Sequence, residues 1–161
     1  MKKIVKNINL FYEILYMKQK LIRFAISAVI LLVLLPAPFA FSKSIKWYSH
    51  DEGMALGSSE EKKIYINFGA DWCAACKHME KKTFSNSAVI AYLNKYFISI
   101  KVDTDKETKI SNKYRVSAIP DNWFLFKNGD PIGHSKGSIP PDIFMKILKS
   151  VQERAGEKKQ D

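Results

Sequence analysis

Only two cysteines occur in the 161 residues, and they stand three apart in the stretch Gly69 to Glu80, GADWCAACKHME. Such a pair can staple the chain, ligate a metal or carry redox chemistry. As a staple, Cys73–Cys76 would close a tiny loop, and short loops constrain the unfolded chain least. A zinc site needs four ligands, and no second C-x-x-C or suitable histidine pair exists in the chain. A covalent haem needs histidine directly after the second cysteine; Lys77 holds that place and His78 comes one later. A copper site using Cys73, Cys76 and a histidine stays open as an alternative. The redox couple suits the spacing best, because one helical turn brings two sulfurs within bonding distance.

The chemistry depends on what positions the pair. Lys63 to Gly69 (KIYINFG) alternates Ile64, Ile66 and Phe68 with Tyr65 and Asn67, which predicts a strand. Cys73 to Tyr96 predicts a helix, interrupted near Ser85-Asn86-Ser87. The cysteines therefore fall where strand hands over to helix. A helix N-terminus presents unpaired N–H groups and the positive end of the macrodipole, and both favour an anion. Cys73 is expected to ionise below the roughly 8.5 of a free cysteine. Cys76, one turn further in, is expected to be shielded. Cys73 then attacks a partner disulfide and Cys76 resolves the mixed disulfide. Trp72 is expected to flank the reactive sulfur while packing the turn. Lys77 offers a modest positive field, His78 reads as a surface residue, and Met79 reads as core filler.

Around this junction the order is strand, helix, strand, helix, strand, strand, helix. Ser44 to Tyr48 predicts a short strand, and His50 to Ser59 a helix with Met54, Ala55 and Leu56 as its apolar side. Phe97 to Val102 predicts a strand, Asp105 to Tyr114 a helix, and Trp123 to Phe126 a strand. A hairpin turn at Asn128-Gly129 leads to Pro131 to Ser135 pairing back. The last helix, Asp142 to Glu153, carries Ile143, Ile147, Leu148 and Val151 on one face. Together these predict an α/β fold, a central mixed sheet with helices on both faces.

Size and composition fit one compact domain: 47% hydrophobic residues in 161 supply a core. Phe24 to Phe41 (FAISAVILLVLLPAPFAF) carries no charge and follows Lys18, Lys20 and Arg23. This is the layout of a secretory signal, with cleavage expected after Ser42 or Ala40, the first preferred. A retained membrane anchor is the alternative, although the unbroken apolar core is short for a span of about 20 residues. Met17 begins a more ordinary signal, so the true start is placed there as a second reading. The domain boundaries expected are thus 1–42 for the signal or anchor, 43–155 for the folded domain and 156–161 for a disordered tail. Residues 1–42 hold six of the 26 Lys+Arg and one of the 16 Asp+Glu, so the net charge of +10 falls to +5 without them. The remaining lysines are interleaved with acids, as in Glu60-Glu61-Lys62-Lys63. That pattern reads as a solvated surface and excludes a nucleic-acid partner.

The residues so assembled resemble a known family. NFGADWCAACK, Asn67 to Lys77, is similar to the active-site turn of the thioredoxin family. YRVSAIP, Tyr114 to Pro120, resembles the segment leading to that family's cis-proline, and FKNG, Phe126 to Gly129, its following hairpin. ADWCAACKHMEKKTFS, Ala70 to Ser85, resembles more closely the C-terminal periplasmic thioredoxin-like domain of the DsbD transmembrane reductases. The resemblance covers about Ile45 to Val151. It implies a thioredoxin fold and protein-disulfide reductase chemistry in the periplasm. It also implies client proteins with disulfides and a membrane electron donor such as a DsbD-like reductase, with no cofactor beyond the Cys73–Cys76 disulfide and no metal. It further implies that Ile119-Pro120 is a cis bond facing Cys73, with Ile119 and Asp121 bordering a substrate groove.

Two places depart from the family pattern. Six residues before the first cysteine the family carries a buried acid that shuttles the proton of the second thiol; here that place is Asn67, which cannot titrate. Glu80 matches an acid of the DsbD-like pattern, either as the only nearby carboxylate or as a surface charge. After the proline, AIPDNWFLFKNG carries Asp121-Asn122 and is one residue longer before FKNG, which predicts a bulge or wider loop beside the groove. Redox direction is open, and a disulfide oxidase or isomerase is the alternative enzyme. A copper-binding chaperone, or a binding module with an inert disulfide, is the alternative outside enzymology.

Overall fold

Along Lys63–Gly69 the two alternating sets of side chains are both buried, which places this strand at the centre of a sheet covered on two faces. The computed structural model of the chain describes residues 16–23 and 43–154. The chain divides into two units, Met1–Ala40 and Phe41–Asp161. In the first, residues 16–23 are helical. The apolar run of the expected signal or anchor and the tail at 156–161 lie outside the described residues. Among the described residues, no helix is long and apolar enough to cross a membrane.

The second unit runs β1 (Trp47–Tyr48), α1 (His50–Ser59), β2 (Lys63–Gly69), α2 (Ala74–Lys82), α3 (Ser87–Tyr96), β3 (Phe97–Asp103), α4 (Thr108–Lys113), β4 (Asp121–Leu125), β5 (Pro131–Lys136) and α5 (Pro141–Glu153). The five strands are ordered β1-β3-β2-β4-β5. β2 pairs parallel with β3 and antiparallel with β4, β1 runs parallel to β3, and β4 and β5 are antiparallel. The sheet is mixed, as the sequence predicts.

Tyr65 and Phe124 point to one face, where Met79 of α2, Leu93 of α3 and Phe144 and Leu148 of α5 pack on them. Ile64, Ile66, Phe68 and Ile100 point to the other, beneath Met54 and Leu56 of α1 and Ile110 of α4. Helices therefore cover both faces. The predicted break near Ser85 to Ser87 falls at residues 83–86, where Asn86 Oδ1 accepts the N–H groups of Ala88 and Val89 at 3.0 and 3.2 Å and starts α3.

Several elements differ from expectation for identifiable reasons. α1 does not bury Ala55; its inner face is His50, Gly53 and Gly57. A Cβ on Gly53 would lie 2.3 Å from Ile100 Cγ1, and one on Gly57 would lie 2.5 Å from Ile64 Cδ1, so the glycines set how closely α1 lies on the sheet. β1 is limited to two residues because the Asn94 side chain takes the Lys46 N–H and the Ser44 carbonyl, both at 2.9 Å. α4 begins late because Asp103 Oδ1 accepts the Asp105 N–H at 3.0 Å and turns the chain first. In α5 the buried residues are Phe144, Leu148 and Val151, and Ile143 is exposed.

Candidate active site

The β2–α2 junction places Cys73 as the N-cap of α2, with Cys73 and Cys76 joined as a disulfide. Cys73 Sγ accepts the backbone N–H of Cys76 at 3.1 Å. The Cys73 carbonyl accepts the Lys77 N–H at 3.1 Å, so the helix grows directly out of the redox pair. An N-cap side chain normally accepts through oxygen; here sulfur holds that place. Both cysteines are buried, at 4% and 7% exposure, so shielding does not separate them as the sequence reading expects. What separates them is the space each one faces.

Cys73 borders an open groove of about 570 Å³, shared with Trp72, Ala74, Asp105, Val116 and Ile119. Trp72 is 69% exposed, and its indole Nε1 donates to Asp105 Oδ2 at 2.8 Å. The Ile119–Pro120 peptide is cis. The Pro120 carbonyl accepts the Gly137 N–H at 2.7 Å, which ties the proline turn to the end of β5. Ile119 borders the groove as expected. Asp121 does not: its side chain is fully buried, and its Oδ1 lies 2.9 Å from His134 Nδ1. The expected bulge beside the proline is also absent, because β4 begins directly at Asp121. The irregularity sits further on, where Phe124 opposes Gly133 but Leu125 opposes Pro131.

Cys76 faces a separate cavity of about 290 Å³, bordered by Asn67, Gly69, Lys77, Glu80 and Lys101. A Cβ on Gly69 would meet Cys76 Sγ at 3.4 Å and Asn67 Oδ1 at 3.9 Å, so the sulfur and the amide oxygen flank the same backbone. Asn67 is buried and donates through Nδ2 to Asn122 Oδ1 at 3.0 Å. Glu80 forms an ion pair with Lys101, the β3 neighbour of Asn67. It is not the only carboxylate there, because Asp71, Asp103 and Glu107 border the cavity too. The Lys106 ammonium, 2.7 Å from Asp103, holds that carboxyl below its usual range. Lys77 is exposed at the rim, His78 is exposed, and Met79 is in the core.

Three residues at the site escape the sequence reading. Asp105 is 33 positions from Trp72, and nothing in its local pattern marks it as an indole partner. Lys101 reads as the exposed member of a strand. Asn122 follows Pro120-Asp121 and reads as loop. Among the described residues, no group of His, Cys, Asp and Glu could hold a metal ion.

A mixed sheet carrying a disulfide at a strand-to-helix junction defines a scaffold for dithiol–disulfide exchange. The family description "Thioredoxin-like domain" matches residues 51–152. Thioredoxin Y, chloroplastic, of Oryza sativa subsp. japonica is 31% identical over 114 residues, 71% of this chain and 64% of its own length. Thiol:disulfide interchange protein DsbD of Vibrio vulnificus (strain CMCP6) is 31% identical over 87 residues, 52% of this chain and 14% of its own. The chain thus spans less than two thirds of each of these relatives. The solution structure of a thioredoxin from Thermus thermophilus superposes with a TM-score of 0.65 at 26% identity, covering 70% of this chain and 91% of that one. The chain belongs to the thioredoxin-like family of thiol–disulfide oxidoreductases, has the thioredoxin fold, and carries its C-x-x-C as the Cys73–Cys76 disulfide.

Proposed function

We propose that the protein is an exported protein-disulfide reductase whose nucleophile is Cys73. The observation that carries this reading is the N–H of Cys76 donated to Cys73 Sγ at the start of α2. Hydrogen bonding to the charged form and the positive end of a helix both favour a thiolate there. The Cys73 thiolate attacks a client disulfide, forming the Cys73–client bond and releasing the client's other sulfur as a thiolate. Cys76 then loses its proton and attacks Cys73 Sγ. The Cys73–Cys76 bond forms, the second client sulfur leaves with its electron pair, and the client is reduced by two electrons.

The groove beside Cys73 supplies the docking place. Trp72, held by Asp105, and Ile119 both border the groove with Cys73, so an extended client segment can lie in it. Export is supported by the charge-free run behind Lys18, Lys20 and Arg23. Similarity to a DsbD protein supports recharging by a DsbD-like membrane electron donor and supports the periplasm as the compartment.

The measured reduction potential tests the direction. A value near the about −270 mV of thioredoxin supports a reductase, whereas one near the about −120 mV of DsbA makes the protein an oxidase. Insulin reduction driven by a thiol donor tests the enzyme itself, and an inert disulfide module or a copper chaperone would show none.

A further inference from the structure

The hydrogen bonds around Asn122 fix the orientation of a second amide beside the redox pair. Backbone carbonyls only accept, so the Ser135 and Gly137 carbonyls, 3.1 and 3.2 Å from Asn122, must face its NH₂ group. Asn122 Oδ1 therefore points the other way and needs donors. It receives two, the Tyr65 hydroxyl at 2.7 Å and Asn67 Nδ2 at 3.0 Å. Burial pushes the Tyr65 hydroxyl well above its usual range, so that group stays a donor. With Nδ2 committed to Asn122, the Asn67 oxygen turns away from it. There it flanks Gly69 together with Cys76 Sγ, at 3.9 and 3.4 Å from where a Gly69 Cβ would stand, and Asn67, Gly69 and Cys76 border one cavity. Asn122 is fully buried, so water cannot replace it in this relay.

We propose that Asn122 is a positioning residue for the exchange reaction, holding Asn67 so that its Oδ1 accepts a hydrogen bond from the Cys76 thiol in the reduced protein. This rests on the redox reading of the two cysteines. The amide accepts a hydrogen bond but takes no proton, so it keeps Cys76 as a thiol while Cys73 is the thiolate. During resolution the Cys76 proton passes to water in the adjoining cavity. The freed sulfur bonds Cys73 Sγ, and the Cys73–client bond breaks with the electron pair leaving on the client.

Nuclear magnetic resonance titration of the reduced protein tests the relay. In the unmutated chain, ionisation of Cys76 should move the Asn67 side-chain carbonyl carbon with the same midpoint. An Asn67 carbonyl that ignores that ionisation overturns the proposal. Asn122→Leu releases Asn67, and losing a bond to the neutral thiol should lower the Cys76 pKa by about 0.5. Resolution of a mixed disulfide at neutral pH should then quicken about twofold, since part of the gained thiolate is offset by lower nucleophilicity. Tyr65→Phe removes the other donor to Asn122 while Asn67 stays held, so the Cys76 titration should not move. Equal shifts in both variants would mean general loosening and would overturn the relay. The carbonyl measurement needs no variant to fold. Neither titration uses a client, so a failure of insulin reduction would count against the redox reading and not against the hydrogen bond.

Discussion

The indole Nε1 of Trp72 donates to the carboxylate of Asp105 at 2.8 Å, joining the turn before the redox pair to the loop before α4. Two segments far apart in sequence thereby fix one wall of the groove beside Cys73. An indole that is 69% exposed has little packing to hold it, so this bond sets its orientation. Asp105→Ala should lower kcat/KM for insulin reduction about fivefold, the worth of one exposed hydrogen bond of about 1 kcal/mol. The reduction potential should stay unchanged, because the cysteines keep their own contacts. Steady-state kinetics paired with redox equilibration separates the two, and an unaltered kcat/KM contradicts a positioning role for the pair.

Asn67→Asp places a carboxyl against Asn122 Oδ1, where only a donor is satisfied. Once ionised it should raise the pKa of the Cys73 thiol, since like charges disfavour each other, and it should give the Cys76 proton an acceptor. Cys73 should therefore ionise more readily in the unmutated protein than in the variant, while resolution should be slower. Thiolate absorbance against pH, with single-turnover release of a mixed disulfide, reads both effects. A Cys73 titration unmoved by Asn67→Asp would contradict this coupling between position 67 and Cys73.

The redox pair was legible because its chemistry is local: two cysteines one turn apart at a strand-to-helix change need no distant residue to be recognised. The sheet and its two helical layers are legible for the same reason, in the alternation of β2 and the apolar face of α5. Asp121 and Asn122 were not. Two polar residues after a proline look like loop, and only pairing with Phe68 and Asn67 on one side and Lys136 and Ser135 on the other makes them strand. Met54 and Leu56 of α1 do pack toward the sheet, but Gly53 and Gly57 escape a sequence reading because side-chain hydropathy cannot register a glycine whose role is to be small.

Gly53→Ala and Gly57→Ala test that packing. Alanine gains about 1 kcal/mol of helix propensity over glycine. The new methyl meets Ile100 or Ile64, both fully buried, at distances no real Cβ contact shows. Overpacking costs about 1–3 kcal/mol, so each variant should be less stable by about 1 kcal/mol net. Urea unfolding of the oxidised protein measures this, and a stabilised variant would contradict the close approach.

Among the described residues, His134 is the only hydrogen-bonding partner of the buried Asp121 side chain, whose Oδ2 has none. His134→Ala should leave that carboxyl without its partner and cost about 2 kcal/mol. Asp121→Asn keeps a polar contact to the imidazole and should cost less. Denaturant midpoints of the two variants give the order directly, and the reverse order would contradict the pairing.

The account rests on Cys73 attacking and Cys76 resolving. Trapping of disulfide partners measures this most directly, by capturing clients on each single cysteine variant and separating the products without reductant. Cys76→Ser should accumulate mixed disulfides through Cys73, whereas Cys73→Ser should accumulate almost none. Equal trapping by the two variants, or trapping through Cys76 alone, would contradict the assignment.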